Sequence, residues 1–237
     1  MSAIVLDDIR FKADLDELCK RLHIDPESEY AEQAAELARK AEGIARPKAL
    51  YREAFVDRRD EENVYIDGVR IHSRIMSINF KGIHRVFPYI TTCGRELHTW
   101  VEALDDILEQ YWAGAIMEMA LGAAYDALLA HLDSEYHTGR LSAMNPGSLA
   151  DWPLKGQRDL FSLLGGSEGT IGVELTESFL MIPMKTTSGI LFQAEEGFHS
   201  CSLCDRKACP NRRAPYDEEL YSKKYDIREN IDNQLQS

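Results

Sequence analysis

Apolar residues recur at helical spacing in several parts of this 237-residue chain and at shorter spacing between them. Residues 1–24 read as an opening extended segment and then a helix with Leu15, Leu18 and Leu22 along one side. Asp25-Pro26-Glu27-Ser28 has the form of a helix start, with Asp25 as cap and Pro26 in the first position. The helix predicted behind it runs to about Gly43, buries Tyr30, Ala34, Leu37, Ala38 and Ala41, and ends at Arg46-Pro47. Between Ala49 and Thr92 the pattern changes to alternation and short apolar runs. Val64, Ile66 and Val69, Ile71 flank an Asp67-Gly68 hairpin turn, and Ile75 to Phe80 and Val86 to Thr91 read as further strands, closed by Gly94. Glu96 to about Tyr136 carries a helical stripe through Leu97, Trp100, Leu104, Leu108, Tyr111, Ala115 and Met119. That span is long for a single helix, so a break is predicted near Asp105-Asp106 or Gly114.

The stretch Asn145 to Phe192 is organised differently. A Pro146-Gly147-Ser148 turn opens it, where Gly147 can take a positive φ and leave the backbone open to a ligand. Trp152-Pro153 ends that loop. A short helix follows with Leu154, Leu160, Phe161 and Leu164 on its apolar side, stopped by Gly165-Gly166. Thr170 to Leu175, Ser178 to Met184 and Thr187 to Phe192 are candidate strands. The fold class expected is α+β, a twisted antiparallel sheet packed by long helices. Three parts are expected: an N-terminal helical segment over 1–48, an α+β core over 49–197, and a cysteine-rich metal-binding segment with a C-terminal tail over 198–237.

At 44% hydrophobic residues the chain can bury a sizeable core, and a net charge of -13 argues against nucleic acid or an anionic membrane as partner, because phosphates would be repelled. Asp7, Asp8, Arg10, Lys12 and Asp14 leave no apolar run for a signal peptide. The most apolar stretch, Trp112 to Leu132, is interrupted by Glu118, Asp126 and His131 and has the period of a core helix. A cytoplasmic location is the expectation. No Ser-His-Asp set, phosphate loop or dinucleotide fingerprint offers a competing enzyme class.

Five cysteines stand at 19, 93, 201, 204 and 209. Cys201, Cys204 and Cys209 form C-x2-C-x4-C, a metal-ligand pattern sooner than a disulfide framework. Two thiols separated by two residues can be aimed at one metal by the intervening turn. Arg206, Lys207, Arg212 and Arg213 would lower the thiol pKa values and offset thiolate charge. Zinc with His199 as a fourth ligand, or an iron–sulfur cluster, both suit the run. With Cys93 completing the set the site would suit [4Fe–4S]; Cys93 is equally read as an ordinary buried cysteine, and Cys19 as core.

Several features of the 146–192 stretch resemble the activation domain of cobalamin-dependent methionine synthase: a Pro-Gly loop before Trp152-Pro153-Leu154, the Q-x-x-L-F-x-L-L helix from Gln157, and L-T-E-S-F-x-M-x-P from Leu175 followed by Ser188-Gly189. The resemblance is close over 146–192 and loose over about 50–200. It implies an activation-domain-like fold in a stand-alone form with an added cysteine cluster. It also implies binding of S-adenosylmethionine through an acidic helix residue, an arginine and a Pro-Gly-Tyr loop. Asp126 is similar in position to the helix acid, Arg140 precedes the loop at a greater distance than in the family, and Pro146, Gly147 and Ser148 form the loop with serine in place of tyrosine. Glu177 matches a family acid, and Thr186 to Gly189 resembles the segment facing the cobalamin partner.

The function implied is that of an accessory protein to a corrinoid-dependent methyltransferase system. It would dock a corrinoid protein or methyltransferase and support reductive methylation of cobalamin with S-adenosylmethionine, an iron–sulfur cluster or both, an electron-donor protein being a further candidate partner. Two other readings stay open: a non-catalytic docking or assembly module with structural zinc, and a small iron–sulfur electron carrier.

Overall fold

The computed structural model describes residues 2–166, 168–194, 197–209 and 212–225. In chain order its elements are β1 (Ile4–Leu6), α1 (Leu15–Leu22), α2 (Glu29–Ile44), β2 (Lys48–Tyr51), β3 (Ala54–Arg59), β4 (Asn63–Ile66), β5 (Val69–His72) and α3 (Arg74–Asn79). There follow β6 (Arg85–Thr92), α4 (Arg95–Glu102), α5 (Ile107–Tyr136), β7 (Leu141–Met144), α6 (Gln157–Leu163), β8 (Glu174–Leu175), β9 (Met181–Ile182) and β10 (Thr186–Gln193).

Strand β6 organises the sheet. From Val86 to Thr92 every residue is buried, as a strand is when both its faces are covered. One edge pairs with β10 along its length, Thr186 opposite Thr92 and Phe192 opposite Val86. The other edge is shared by β2, with Tyr51 opposite Tyr89, and β3, with Ala54 opposite Val86. All the named strand pairs are antiparallel, β1 extending β2, β4 and β5 extending β3, and β7 extending β10. The α+β class and the antiparallel sheet expected from the sequence are what the chain adopts.

Alternation along these strands sends side chains into separate cores. Ala49, Tyr51, Phe87, Tyr89 and Leu191 meet Leu128 and Leu132 on the second half of α5. On the opposite face Leu50 and Ile90 meet Phe161, Leu164, Ile171 and Val173, while Val86, Ile190 and Phe192 meet Met76, Phe80, Trp152 and Leu160. The first half of α5 packs instead on helices: Trp112, Ile116 and Ala120 meet Leu18, Leu37, Leu97 and the small Ala34, Ala38 and Ala41 of α2. Along α5 the buried positions 112, 113, 116, 117, 120, 124, 128 and 132 keep three-four spacing, the core-helix pattern expected of this apolar stretch.

The break in the long helical stripe falls after Glu102, and α5 restarts with Asp106 as cap, its carboxylate accepting from Leu108 N–H at 2.7 Å. Gly114 lies inside the helix. The Asp67-Gly68 turn has φ of 44° and 80°, as a two-residue hairpin turn with both central residues left-handed requires.

Four local expectations are corrected. Helix α2 begins at Glu29 with Ser28 as cap, because Asp25 closes a separate turn in which its carboxylate accepts from Glu27 N–H at 3.0 Å. Tyr30, expected inside, is 57% exposed. Ile75 to Phe80 belongs to helix α3 and the turn that ends it, not to a strand. Its free N-terminal donors are met by the Ser73 hydroxyl, accepting from Met76 N–H at 3.0 Å, and by the Asp151 carboxylate, accepting from Arg74 and Ile75 N–H at 3.1 Å each. The Ser73 hydroxyl also donates to Asp151. Residues 168–171 form a tight helical turn where a strand was expected, and the pair β8–β9 keeps only two residues on each side.

The tail expected over the last fifteen residues lies mostly outside the described residues. Tyr225, the last one described, is buried and its hydroxyl donates to Asn79 Oδ1 at 2.9 Å.

Candidate ligand cleft

An open cleft of about 660 Å³ lies between the middle of α5, the β7–β10 edge of the sheet, and the segment that begins at Phe198. Its volume is in the range of small-molecule sites. Helix α5 supplies the acidic wall: Glu118 and Asp126 are two turns apart and line the same side. Glu118 lies 3.3 Å from Lys185 Nζ. Asp126 is exposed and has no ion pair among the described residues. Between them stand Gly122, which leaves the helix surface bare, and Tyr125.

The sheet supplies the floor through Tyr89, Asn145 and Thr187. Asn145 Nδ2 donates to the Tyr89 hydroxyl at 2.9 Å and to Ser188 O at 2.7 Å, which locks the end of β7 to β10 and β6. Burial, with Tyr125 close by, pushes the Tyr89 pKa far above the usual phenol range, so the floor is neutral. Its ring lies 5.7 Å from that of Tyr125.

The turn after Asn145 takes the form expected of it. Gly147 has φ 83°, its N–H donates to Trp152 O at 2.7 Å, and Ser148 N–H donates to Asn145 O at 3.2 Å. Pro146 is buried, Gly147 and Ser148 are exposed, and Ser148 lines the cleft. A Cβ on Gly147 would meet Leu154 Cδ1 at 3.2 Å in a left-handed conformation, so glycine is the residue this turn accepts.

The third wall is the C-terminal segment. Phe198 N–H donates to Ser142 Oγ at 2.8 Å, and His199 bridges to Ala143, so the chain runs beside β7 before it turns. Arg140 Nη2 donates to His199 Nε2 at 3.0 Å, which holds Arg140 at the rim. Cys201 lines the cleft and its sulfur accepts from Arg213 N–H at 3.4 Å. The Arg212 guanidinium donates to Cys201 O at 3.0 Å, Cys204 O at 3.2 Å and Ala214 O at 3.4 Å, and also to Arg206 O. One guanidinium thus closes the cysteine loop through its carbonyls.

The structure therefore brings Asp126, Ser148 and Cys201 to one cleft, with Pro146 and Gly147 in the turn beside it and Arg140 at its edge through His199. Cys93 lies elsewhere, in the helical core beside Leu97 and Trp112, where burial pushes its thiol up to about 12. Cys204 and Cys209 are half-buried in the loop that Arg212 closes. Among the described residues no group of three or more Cys, His, Asp or Glu side chains is gathered to hold a metal. Glu177 is exposed on the β8–β9 turn, and Thr187 faces the cleft.

Sequence reasoning did not place Tyr89, Tyr125, Asn145 or Arg213 at a ligand site; Arg213 reads there only as a charge beside the thiols. The one signal for this wall in the sequence is the pair of acids, Glu118 and Asp126, interrupting an apolar helix at a spacing that puts them on one face.

No family model matches the chain, and no curated protein matches it. Among solved structures it is similar to the crystal structure of the MetH reactivation domain bound to AdoHcy, with a TM-score of 0.62 and 14% sequence identity over 84% of this chain and 80% of that one. At that identity the likeness is one of fold. The fold is of the MetH reactivation-domain kind.

Proposed function

We propose that the protein binds an S-adenosyl amino acid in the cleft and presents it to a docked corrinoid protein, as an accessory to cobalamin-dependent methyl transfer. The observation that carries this reading is the convergence of Asp126, Tyr125 and Ser148 of the Gly147 turn on one cleft, in a fold like that of a domain solved with AdoHcy. Such a ligand is a zwitterion with a planar base. Asp126 offers the unpaired carboxylate that an ammonium needs, the exposed Ser148 offers its hydroxyl and main-chain carbonyl, and the half-buried Tyr125 offers flat apolar surface. S-Adenosylmethionine would supply the methyl group for cobalamin; the residues of this chain orient it and restrict its solvation.

The open cleft and the half-buried Thr186-Thr187 end of β10 support docking of the corrinoid partner on this side. The thiols of Cys201, Cys204 and Cys209 are donors that iron or zinc takes, and the C-x2-C-x4-C spacing alone supports that part of the reading.

Calorimetric titration of the full chain tests the proposal. S-Adenosylhomocysteine is expected to bind at one site per chain with a Kd of about 1–100 μM, equivalent to about 5.5–8 kcal/mol. Absence of saturable binding of both S-adenosylhomocysteine and S-adenosylmethionine at millimolar ligand would refute it.

A further inference from the structure

The cleft has an acidic wall ready for an ammonium, and the question left is which residue takes the ligand's carboxylate. Each of the other cations near it is engaged. Arg21 Nε lies 2.9 Å from Glu17 Oε1, one turn back on α1. Arg140 is turned to His199. Arg212 spends both terminal nitrogens on main-chain carbonyls of the cysteine loop. Lys185 sits against Glu118.

Arg213 differs from all of these. Its side chain is exposed and lines the cleft, and its guanidinium lies over the Tyr125 ring, 5.7 Å from the centroid. It has no carboxylate partner among the described residues. Asp126 lines the same cleft, so a cation and an acid that form no ion pair among the described residues face one cavity, the arrangement an α-amino acid group needs.

We infer that Arg213, carried into the cleft by the C-terminal cysteine loop, is the residue that binds the carboxylate of the ligand. This rests on the S-adenosyl reading above. It also gives the loop a role of its own. The main-chain N–H of Arg213 donates to the Cys201 sulfur, and Arg212 beside it closes the loop on the carbonyls of Cys201 and Cys204, so the position of the Arg213 side chain is set by the cysteine segment. Arg140, ahead of the Pro-Gly turn, serves the rim.

The test compares the wild type with Arg213→Gln, Arg213→Lys and Arg140→Gln, each titrated with S-adenosylhomocysteine and with 5′-methylthioadenosine, which lacks the amino-acid group. Arg213→Gln is expected to weaken S-adenosylhomocysteine binding about 10- to 100-fold, the loss typical of a charge-assisted hydrogen bond, and to change methylthioadenosine binding less than about twofold. Arg213→Lys, which keeps the charge, is expected to recover most of the loss. Arg140→Gln should bind both ligands within about twofold of the wild type. Unchanged S-adenosylhomocysteine affinity in Arg213→Gln overturns the inference and leaves the S-adenosyl reading intact, as does an equal loss for the two ligands. Failure of the wild type to bind either ligand overturns the reading itself.

Discussion

Gly189→Ala is expected to destabilise the protein by about 3 kcal/mol, lowering Tm by about 6–12 °C in a chain of this size. Gly189 lies in β10 between β6 and β7. A Cβ added there would stand 2.4 Å from Met144 O, 2.5 Å from Asn145 Nδ2 and 3.1 Å from a ring carbon of Tyr89. The first of these is main chain, in the strand paired beside it, and cannot step aside alone. Asn145 is fixed too, by its bonds to Tyr89 and Ser188. The methyl group therefore has to part β7 from β10 at the floor of the cleft. Gly114→Ala in α5 is the matched control. Nothing lies within 4 Å of its Cβ, and a helical Gly→Ala change is expected to be neutral or to stabilise by about 0.5–1 kcal/mol. Thermal or urea unfolding of the two variants beside the wild type measures the difference, and equal stabilities would show that the β7–β10 contact is looser than described.

Asp126→Asn is expected to act on binding and not on stability. The carboxylate is exposed and has no ion pair among the described residues, so its loss should move Tm by less than about 1 °C. Asparagine keeps the shape and removes the charge that an ammonium group needs. S-Adenosylhomocysteine affinity should fall about 10- to 100-fold by calorimetry. Glu118→Gln should be milder, because Lys185 already faces that carboxylate. A variant that binds as the wild type does would remove Asp126 from the ligand's contacts.

The elements legible in the sequence are those whose signal is local. Helices α1 and α5 announced themselves by three-four spacing, and the Asp67-Gly68 hairpin and the Gly147 turn by residues that tolerate positive φ. Helix α3 was not legible. Ile75-Met76-Ser77-Ile78 reads as a short apolar run, and what makes it helical is the carboxylate of Asp151, some 76 residues away in sequence. The cleft follows the same rule. Asp126 and the Pro146-Gly147-Ser148 turn could be named because each resembles a local pattern. Arg213 could not, since only the path of the chain past Ser142 and Ala143 brings the C-terminal segment back onto α5. In the sequence its charge reads as company for three thiols. In the fold its main chain touches a cysteine while its side chain lines the cleft.

One S-adenosyl ligand is expected to occupy the cleft between α5, the Gly147 turn and the C-terminal segment. Amide hydrogen exchange of the full chain, with and without saturating S-adenosylhomocysteine, tests it most directly because it reports where the ligand sits. Slower exchange is expected in residues 145–149 and 198–204, with the β4–β5 hairpin unchanged. Protection confined to other parts of the chain, or no change at saturating ligand, would contradict the account.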